Sequence, residues 1–343
     1  MIRRIKTIDA HTAGEPLRLI VEGFPSPPGA TMRDKQAWVR RRRDRVRRAL
    51  MREPRGHADM YGAVLTEPVS PDAHAGVLFM HNAGYSSMCG HGIIAVATIA
   101  LERGVMHPSD PGDDLLFDTP AGTVRARAAV RTVDASDRRQ GGRRLRVDRV
   151  SYSGIPSFVL KAGLSIDLGT RVIKADVAFG GAFYAIVDAE AVGVAIRREQ
   201  LPDLRALAMQ IKRTVERAVT VEHPVEAGLS GVYGTVFTGV PDGEGADLRN
   251  VSVFADGQVD RSPCGTGTAA VMAVLDAMGL LSDERPFVHE SIIGTQFSGT
   301  VDARTRVGEH AAVVPRIEGR AWVTGEHEFM IDDEDPLREG IAL

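Results

Sequence analysis

From Ile5 to Gly23 apolar and polar residues alternate with the two-residue period of a strand, broken by the polar cluster His11-Thr12-Ala13-Gly14-Glu15-Pro16, which reads as a turn. Met32 to Met51 reads as one helix carrying nine basic residues, stopped by Glu53-Pro54-Arg55-Gly56-His57. Strand-like runs follow at Gly62–Thr66 and Ala75–Met80, then a glycine-rich loop and a helix from about Gly92 to Glu102. Further strands are expected at Asp114–Asp118, Thr123–Val130 and Arg143–Val150, with a hairpin loop over Thr132–Gly142. Ser151–Pro156 reads as the crossing into a second half. That half has strands at Ser157–Lys161, Thr170–Ala178 and Phe183–Val187, then a helix over Leu204–Val219 with apolar spacing near 3.6. Val232–Thr238 and Val251–Ala255 lead to a second glycine-rich loop and a helix at Gly267–Met278, and Ile293–Met330 reads as several short strands. There is little strict βαβ alternation, so the pattern favours an α+β fold in which sheets wrap helices.

The two glycine-rich loops share more than composition. Cys89 opens Cys89-Gly90-His91-Gly92-Ile93-Ile94-Ala95-Val96, and Cys264 opens Cys264-Gly265-Thr266-Gly267-Thr268-Ala269-Ala270-Val271. Each run is preceded ten residues earlier by a phenylalanine, Phe79 or Phe254, and closes on a glycine, Gly104 or Gly279. These are the only two cysteines among 343 residues, so an internal repeat keeps both thiols in register. Taken singly, either would pass for a buried bystander; the matched flanks argue for function.

Length and charge narrow the field. A chain of 343 residues fits two domains, expected at 1–150 (completed by 322–343) and 151–321. A net charge of −3 gives no general pull toward nucleic acid or anionic membrane. The Arg40–Arg43 run lacks interleaved aromatics and reads as a solvated helix face or a subunit contact, with a homodimer left open. The polar start Met1-Ile2-Arg3-Arg4-Ile5-Lys6 argues against a secretory signal, no stretch is long enough to cross a bilayer, and a cytoplasmic protein is expected.

A glycine-rich turn entering a helix leaves N–H groups free and aims the positive end of the helix dipole at the loop. An anion can settle there, and the same field is expected to lower the pKa of a cysteine at that position. Two such turns could hold one carboxylate with a sulfur on each side of Cα, so that one sulfur removes a proton and the other returns one. Cα is a weak acid, so the carboxylate must be held by preorganised donors and the thiolate placed within reach. No lysine stands in a context that marks a Schiff base, and cofactor-free chemistry fits better.

Other readings use the same residues. Both loops satisfy G-x-G-x-x-A, but the second is entered through the polar turn Gln258–Pro263, and Asp110 and Glu284 lie in loops rather than at strand ends, against a dinucleotide site. A metal set from Cys89, His91, Cys264 and His57 lacks local C-x₂-C spacing. A redox-sensing disulfide would leave the anion-binding turns without a purpose. A non-catalytic imino-acid binding protein is the alternative of another class.

Met88-Cys89-Gly90-His91-Gly92 and Asp260-Arg261-Ser262-Pro263-Cys264-Gly265-Thr266-Gly267-Thr268 resemble the two signatures of the proline racemase superfamily. Its members include proline racemases, 4-hydroxyproline 2-epimerases and trans-3-hydroxy-L-proline dehydratases. The resemblance extends through Asp9–Pro16, Glu53–His57 and Phe179-Gly180-Gly181-Ala182-Phe183-Tyr184 to Asp335-Pro336-Leu337. It implies a cofactor-independent enzyme of diaminopimelate epimerase-like fold: two pseudo-symmetric domains, each a curved mixed sheet or barrel around a central helix, with the site in the cleft between. By motif position it implies Cys89 and Cys264 as the acid–base pair. Gly90, His91, Gly265 and Thr266 become substrate contacts, and Asp260 the partner of the ring nitrogen. Dehydratases of this family typically carry threonine in place of the second cysteine, so Cys264 favours epimerisation. Pro71-Asp72-Ala73-His74, Tyr85-Ser86-Ser87-Met88 and Gly181-Ala182-Phe183 look closer to the dehydratase branch. The cysteine weighs more because it performs the chemistry. Tyr61, where proline racemases commonly have phenylalanine, offers a hydroxyl suited to a hydroxylated ring, and the expected reaction is epimerisation of trans-4-hydroxy-L-proline to cis-4-hydroxy-D-proline.

Overall fold

The computed structural model describes residues 2–108, 110, 112–134 and 143–341, so most of the expected loop Thr132–Gly142 lies outside the described residues. The first half runs β1 (Ile2–Thr12), β2 (Glu15–Glu22), α1 (Met32–Arg42), α2 (Asp44–Met51), β3 (Tyr61–Thr66), β4 (Ala75–His81) and β5 (Tyr85–Ser86). It continues with α3 (Gly90–Glu102), β6 (Asp114–Thr119), β7 (Gly122–Asp134) and β8 (Arg143–Ser153). The second runs β9 (Ser157–Asp167), β10 (Val172–Phe179), β11 (Phe183–Asp188), α4 (Leu201–Ala218), β12 (Val232–Gly239), β13 (Leu248–Phe254) and β14 (Gln258–Asp260). Then come α5 (Gly265–Ala277), β15 (Phe287–Ser291), β16 (Gln296–Val307), β17 (His310–Gly319) and β18 (Ala321–Asp332). The fold is α+β, as the pattern implied. The tail differs from expectation: β16, β17 and β18 are long strands of 12, 10 and 12 residues, hidden in the sequence by their many exposed polar positions.

The chain forms two compact units. One comprises Met1–Ser86, His91–Tyr152 and Glu318–Leu343; the other Ser87–Gly90 and Ser153–Ile317. The segment holding Cys89 therefore groups with the second unit rather than with the first half of the sequence. The reason is local: Ser87 Oγ donates to Gly181 O at 2.9 Å, and Met88 lies beside Gly181.

Strand pairing repeats between the halves. In the first, β18–β1–β2 are antiparallel, β2 and β3 parallel, β3–β4–β5 antiparallel, β4 and β6 parallel, and β6–β7 antiparallel. The second repeats this with β9–β10–β11, β11 with β12, β12–β13–β14, β13 with β15, and β15–β16. Each parallel pair needs a helical crossover: α1–α2 and α3 in the first half, α4 and α5 in the second.

The crossover helices cover one face of each sheet. Leu204, Ala208, Ile211 and Val215 of α4, spaced four, three and four residues apart, join Val187, Phe237 and Val251 in one buried cluster. Each fully buried Leu, Ile or Val contributes roughly 1.5–3 kcal/mol. In the first half, Val39, Val46, Leu50 and Met51 join Ile20, Val64 and Leu78. The expected single helix Met32–Met51 is two, because Arg43 leaves helical geometry at φ −134° and ψ 9°. A Thr31–Asp34 capping box starts α1. The basic face is also not wholly solvated. Lys35 and Arg47 are buried, with Lys35 Nζ donating to Glu67 O and Arg47 to Asp44 and the His81 and Asn82 carbonyls.

The central helices are different in kind. Gly90–Leu101 of α3 and Gly265–Val274 of α5 are buried on every side, the condition of a helix inside a core. Small residues permit it. A Cβ on Gly180 would sit 2.2 Å from Thr266 O and 2.5 Å from Ala270 N, so the β10–β11 turn lies directly on the first turns of α5.

Candidate active site

Cys264 is the N-cap of α5, with φ +63° and ψ 109°. A non-glycine residue in that region costs of order 1–3 kcal/mol and persists only where its surroundings enforce it. Here the enforcement is explicit. Cys264 N donates to Ser262 Oγ at 3.1 Å, and its carbonyl accepts from Thr268 N at 2.7 Å. The preceding carbonyl, Pro263 O, accepts from Asn250 Nδ2 at 2.8 Å and from Thr268 Oγ1 at 3.1 Å. The sulfur accepts from Gly267 N at 3.3 Å, and the Thr266 and Tyr184 hydroxyls lie 3.8 and 3.7 Å from it, themselves 2.7 Å apart.

Burial pushes the Cys264 thiol up to about 12, reinforced by the charge of Asp260; Ser252, the Gly267 N–H and Tyr184 act in the opposite direction. This corrects the expectation that the helix terminus lowers the pKa. One N–H and a partial dipole do not offset complete removal from water, so Cys264 rests as the thiol. Asp260 is buried, and its Oδ1 accepts from Ser262 N at 2.8 Å and Ser262 Oγ at 2.6 Å, shaping the run into Cys264.

Behind the loop stands a group that the sequence reading missed. Asn250 Nδ2 lies 2.8 Å from both ring nitrogens of His289, and Thr268 Oγ1 lies 2.9 Å from His289 Nδ1. All three residues are fully buried. Burial drives the His289 pKa down to about 3, so the ring is neutral. Thr268 spends its proton on Pro263 O, so the consistent tautomer donates from Nδ1 to Thr268 and accepts from Asn250 at Nε2.

Of the other residues read from the sequence, Cys89, Gly90, His91, Gly265 and Thr266 are all buried at helix starts. His91 O accepts from Thr12 Oγ1 at 2.8 Å. Tyr61 meets the His91 ring edge-on at 4.8 Å, and its hydroxyl is 2.5 Å from Ser86 Oγ, already engaged within the protein. Among the described residues no three His, Cys, Asp or Glu side chains gather as a metal site.

The internal repeat allows the two cysteine surroundings to be compared position by position. Rungs Ile20–Val64–Leu78 and Val187–Phe237–Val251 both face a crossover helix and fix the register. On that register Tyr184, Asn250, Ser252 and His289 correspond to Leu17, Val77, Phe79 and Phe117, and along the central helices Thr268 corresponds to Ile93. The first-half residues are all apolar and fully buried. Phe79 thus matches Ser252 and not Phe254, since the second half has one more residue in its hairpin and one more before the cysteine. Under the crossover helix the asymmetry is reversed. The ion pair of buried Arg18 with half-buried Asp9, 2.8 Å apart, corresponds to Ala185 and Val177.

Residues 7–342 match the family model described as proline racemase. The chain is 44% identical over 337 residues to a trans-3-hydroxy-L-proline dehydratase of Bacillus thuringiensis subsp. konkukian (strain 97-27), spanning 98% of this chain and 97% of that protein. It is 40% identical over 342 residues to a proline racemase of Clostridioides difficile, spanning 99% and 98%. Among solved structures it resembles a hydroxyproline epimerase from Agrobacterium vitis with bound trans-4-hydroxy-L-proline, with a TM-score of 0.88, 32% identity, and coverage of 99% of this chain and 96% of that one. The chain belongs to the proline racemase family.

Proposed function

We propose that this member of the proline racemase family inverts Cα of a cyclic imino acid by two-thiol acid–base chemistry, with trans-4-hydroxy-L-proline as the lead substrate. The observation that carries the reading is a cysteine immediately before each buried central helix, Cys89 before α3 and Cys264 at the N-cap of α5. A one-base elimination has no use for the second thiol. The raised pKa of Cys264 supports its role as resting proton donor. For the L-isomer, the Cys89 thiolate takes the Cα proton and Cys264 S–H delivers one to the opposite face, leaving Cys89 protonated and Cys264 ionised. The D-isomer runs the same exchange in reverse, so Cys264 must then ionise. The Gly267 N–H, Ser252 and Tyr184 are the donors that would receive its charge. The positive ends of the two helix dipoles, which point at the cysteine loops, suit the substrate carboxylate. Asp260 is proposed as partner of the ring ammonium, and Gly90, His91, Gly265 and Thr266 as substrate contacts. Tyr61 lends weaker support to the hydroxylated substrate than the sequence suggested, because Ser86 already engages its hydroxyl.

A second reading, dehydration of trans-3-hydroxy-L-proline, is favoured by the 44% identity to a protein of that name. It would remove the Cα proton and expel the 3-hydroxyl as water, leaving an unsaturated ring. The deciding experiment incubates the protein with L-proline, trans-4-hydroxy-L-proline and trans-3-hydroxy-L-proline and separates products by chiral chromatography. The proposal expects the cis-4-hydroxy-D isomer, approached equally from either side. Water loss from the 3-hydroxy substrate without inversion of the other two would replace it with the dehydratase.

A further inference from the structure

Two buried helices of the same length, each entered by a cysteine, pose the same folding problem and solve it differently. The first half packs Val77, Ile93 and Phe117 at positions where the second has Asn250, Thr268 and His289. Apolar side chains therefore satisfy the architecture, and a buried polar cluster brings a desolvation cost that its hydrogen bonds only partly return. What the polar set adds is direction. His289 Nδ1 pairs with Thr268 Oγ1, Thr268 Oγ1 reaches Pro263 O, and Asn250 Nδ2 reaches both Pro263 O and the histidine ring. Every bond in the cluster leads to the carbonyl one peptide before Cys264, the residue with φ +63°.

We infer that Asn250, Thr268 and His289 form a positioning network that clamps Pro263 O and so holds Cys264 in its left-handed conformation, for the reaction and not for the fold. Two carbonyl bonds fix the orientation of the Pro263–Cys264 peptide, and with it the direction in which Cβ and the sulfur leave the backbone. Without the clamp the loop can relax toward ordinary φ, which swings the sulfur away from Gly267 N.

The consequence for turnover rests on the two-thiol reading, whereas the consequence for the sulfur does not, and the test reads both. Thr268→Val keeps the shape and removes the hydroxyl; Thr268→Ser keeps the hydroxyl. Thr268→Val is expected to lower kcat about a hundredfold with KM changed less than about threefold, since small misplacements of a reacting group cost that much. Iodoacetamide labelling of Cys264, followed by peptide mass spectrometry, should accelerate about fivefold or more while Cys89 in the same molecule keeps its rate. Thr268→Ser should restore both. Grafting the first-half set, Asn250→Val with Thr268→Ile and His289→Phe, should give the same selective change at Cys264 in a cooperatively melting protein. If the wild type turns over no imino acid, the labelling comparison still decides the inference. Wild-type labelling of Cys264 in Thr268→Val would overturn it, as would a fall in melting temperature with kcat and labelling unchanged.

Discussion

The sequence writes its two cysteine loops almost identically, and at the matching positions Leu17, Val77, Ile93, Phe79 and Phe117 against Tyr184, Asn250, Thr268, Ser252 and His289 the protein uses opposite materials. Around α5 stand hydroxyls, an amide and an imidazole; at the matching positions around α3 stand leucine, valine, phenylalanine and isoleucine. Both solutions bury the helix from its first residue through Leu101 or Val274, so the hydrophobic effect alone does not choose between them. The polar half buys geometry: a cysteine held at positive φ, with a named donor for each acceptor that fixes it. Beside that sheet the first half instead buries Arg18, which is held by Asp9 and reaches the Leu50 and Arg55 carbonyls under the crossover helices. The same scaffold therefore occurs twice in the chain, with polar groups at different places in the two copies.

The comparison breaks most sharply at the sulfurs themselves. Cys89→Ser and Cys264→Ser should each lower epimerisation by roughly 10²–10⁴-fold, the usual worth of a positioned acid or base, while cooperative melting is retained. Turnover near the wild-type rate in either variant would mean that one thiol suffices, and the symmetric mechanism would fail.

A smaller effect sharpens the difference in environment. A thiol with pKa about 12 is neutral below that pH and ionises above it, and only the thiolate alkylates. In the ligand-free protein, labelling of Cys264 by iodoacetamide should therefore climb about tenfold per pH unit from pH 6 to pH 10 without levelling, whereas a free cysteine levels above about pH 8.5. A plateau near neutral pH would show that the helix terminus outweighs burial after all.

The starts of the two central helices were legible because they are written locally. Cys89 and Cys264 each stand before a glycine and a run of small residues, a pattern that a helix N-terminus in a core demands, and both helices begin there. What escaped the sequence depends on partners far along the chain. Asn250 and His289 sit on β13 and β15, 39 residues apart, and nothing near either announces that they meet behind Pro263. The break at Arg43 and the burial of Lys35 and Arg47 were hidden for a similar reason. A basic residue looks solvated until the carbonyls that receive it are known, here those of Glu67, His81 and Asn82. The match of Phe79 with Phe254 was a true repeat of letters and a false one of positions, because two added residues before Cys264 slide the ladder. The thiol pKa was misjudged in sign, since a helix dipole can be read from sequence and the loss of water around one sulfur cannot.

The central claim is that separate thiols act on the two faces of one carbon, and its most direct test is hydrogen exchange in D₂O. With trans-4-hydroxy-L-proline and conversion stopped early, the first cis-4-hydroxy-D-proline formed should carry deuterium at Cα, because the delivering thiol has equilibrated with solvent. The unreacted L-substrate should remain protiated, because the proton taken from it goes to the other sulfur. Deuterium appearing in recovered substrate as fast as in product would place removal and return on a single base and contradict the account.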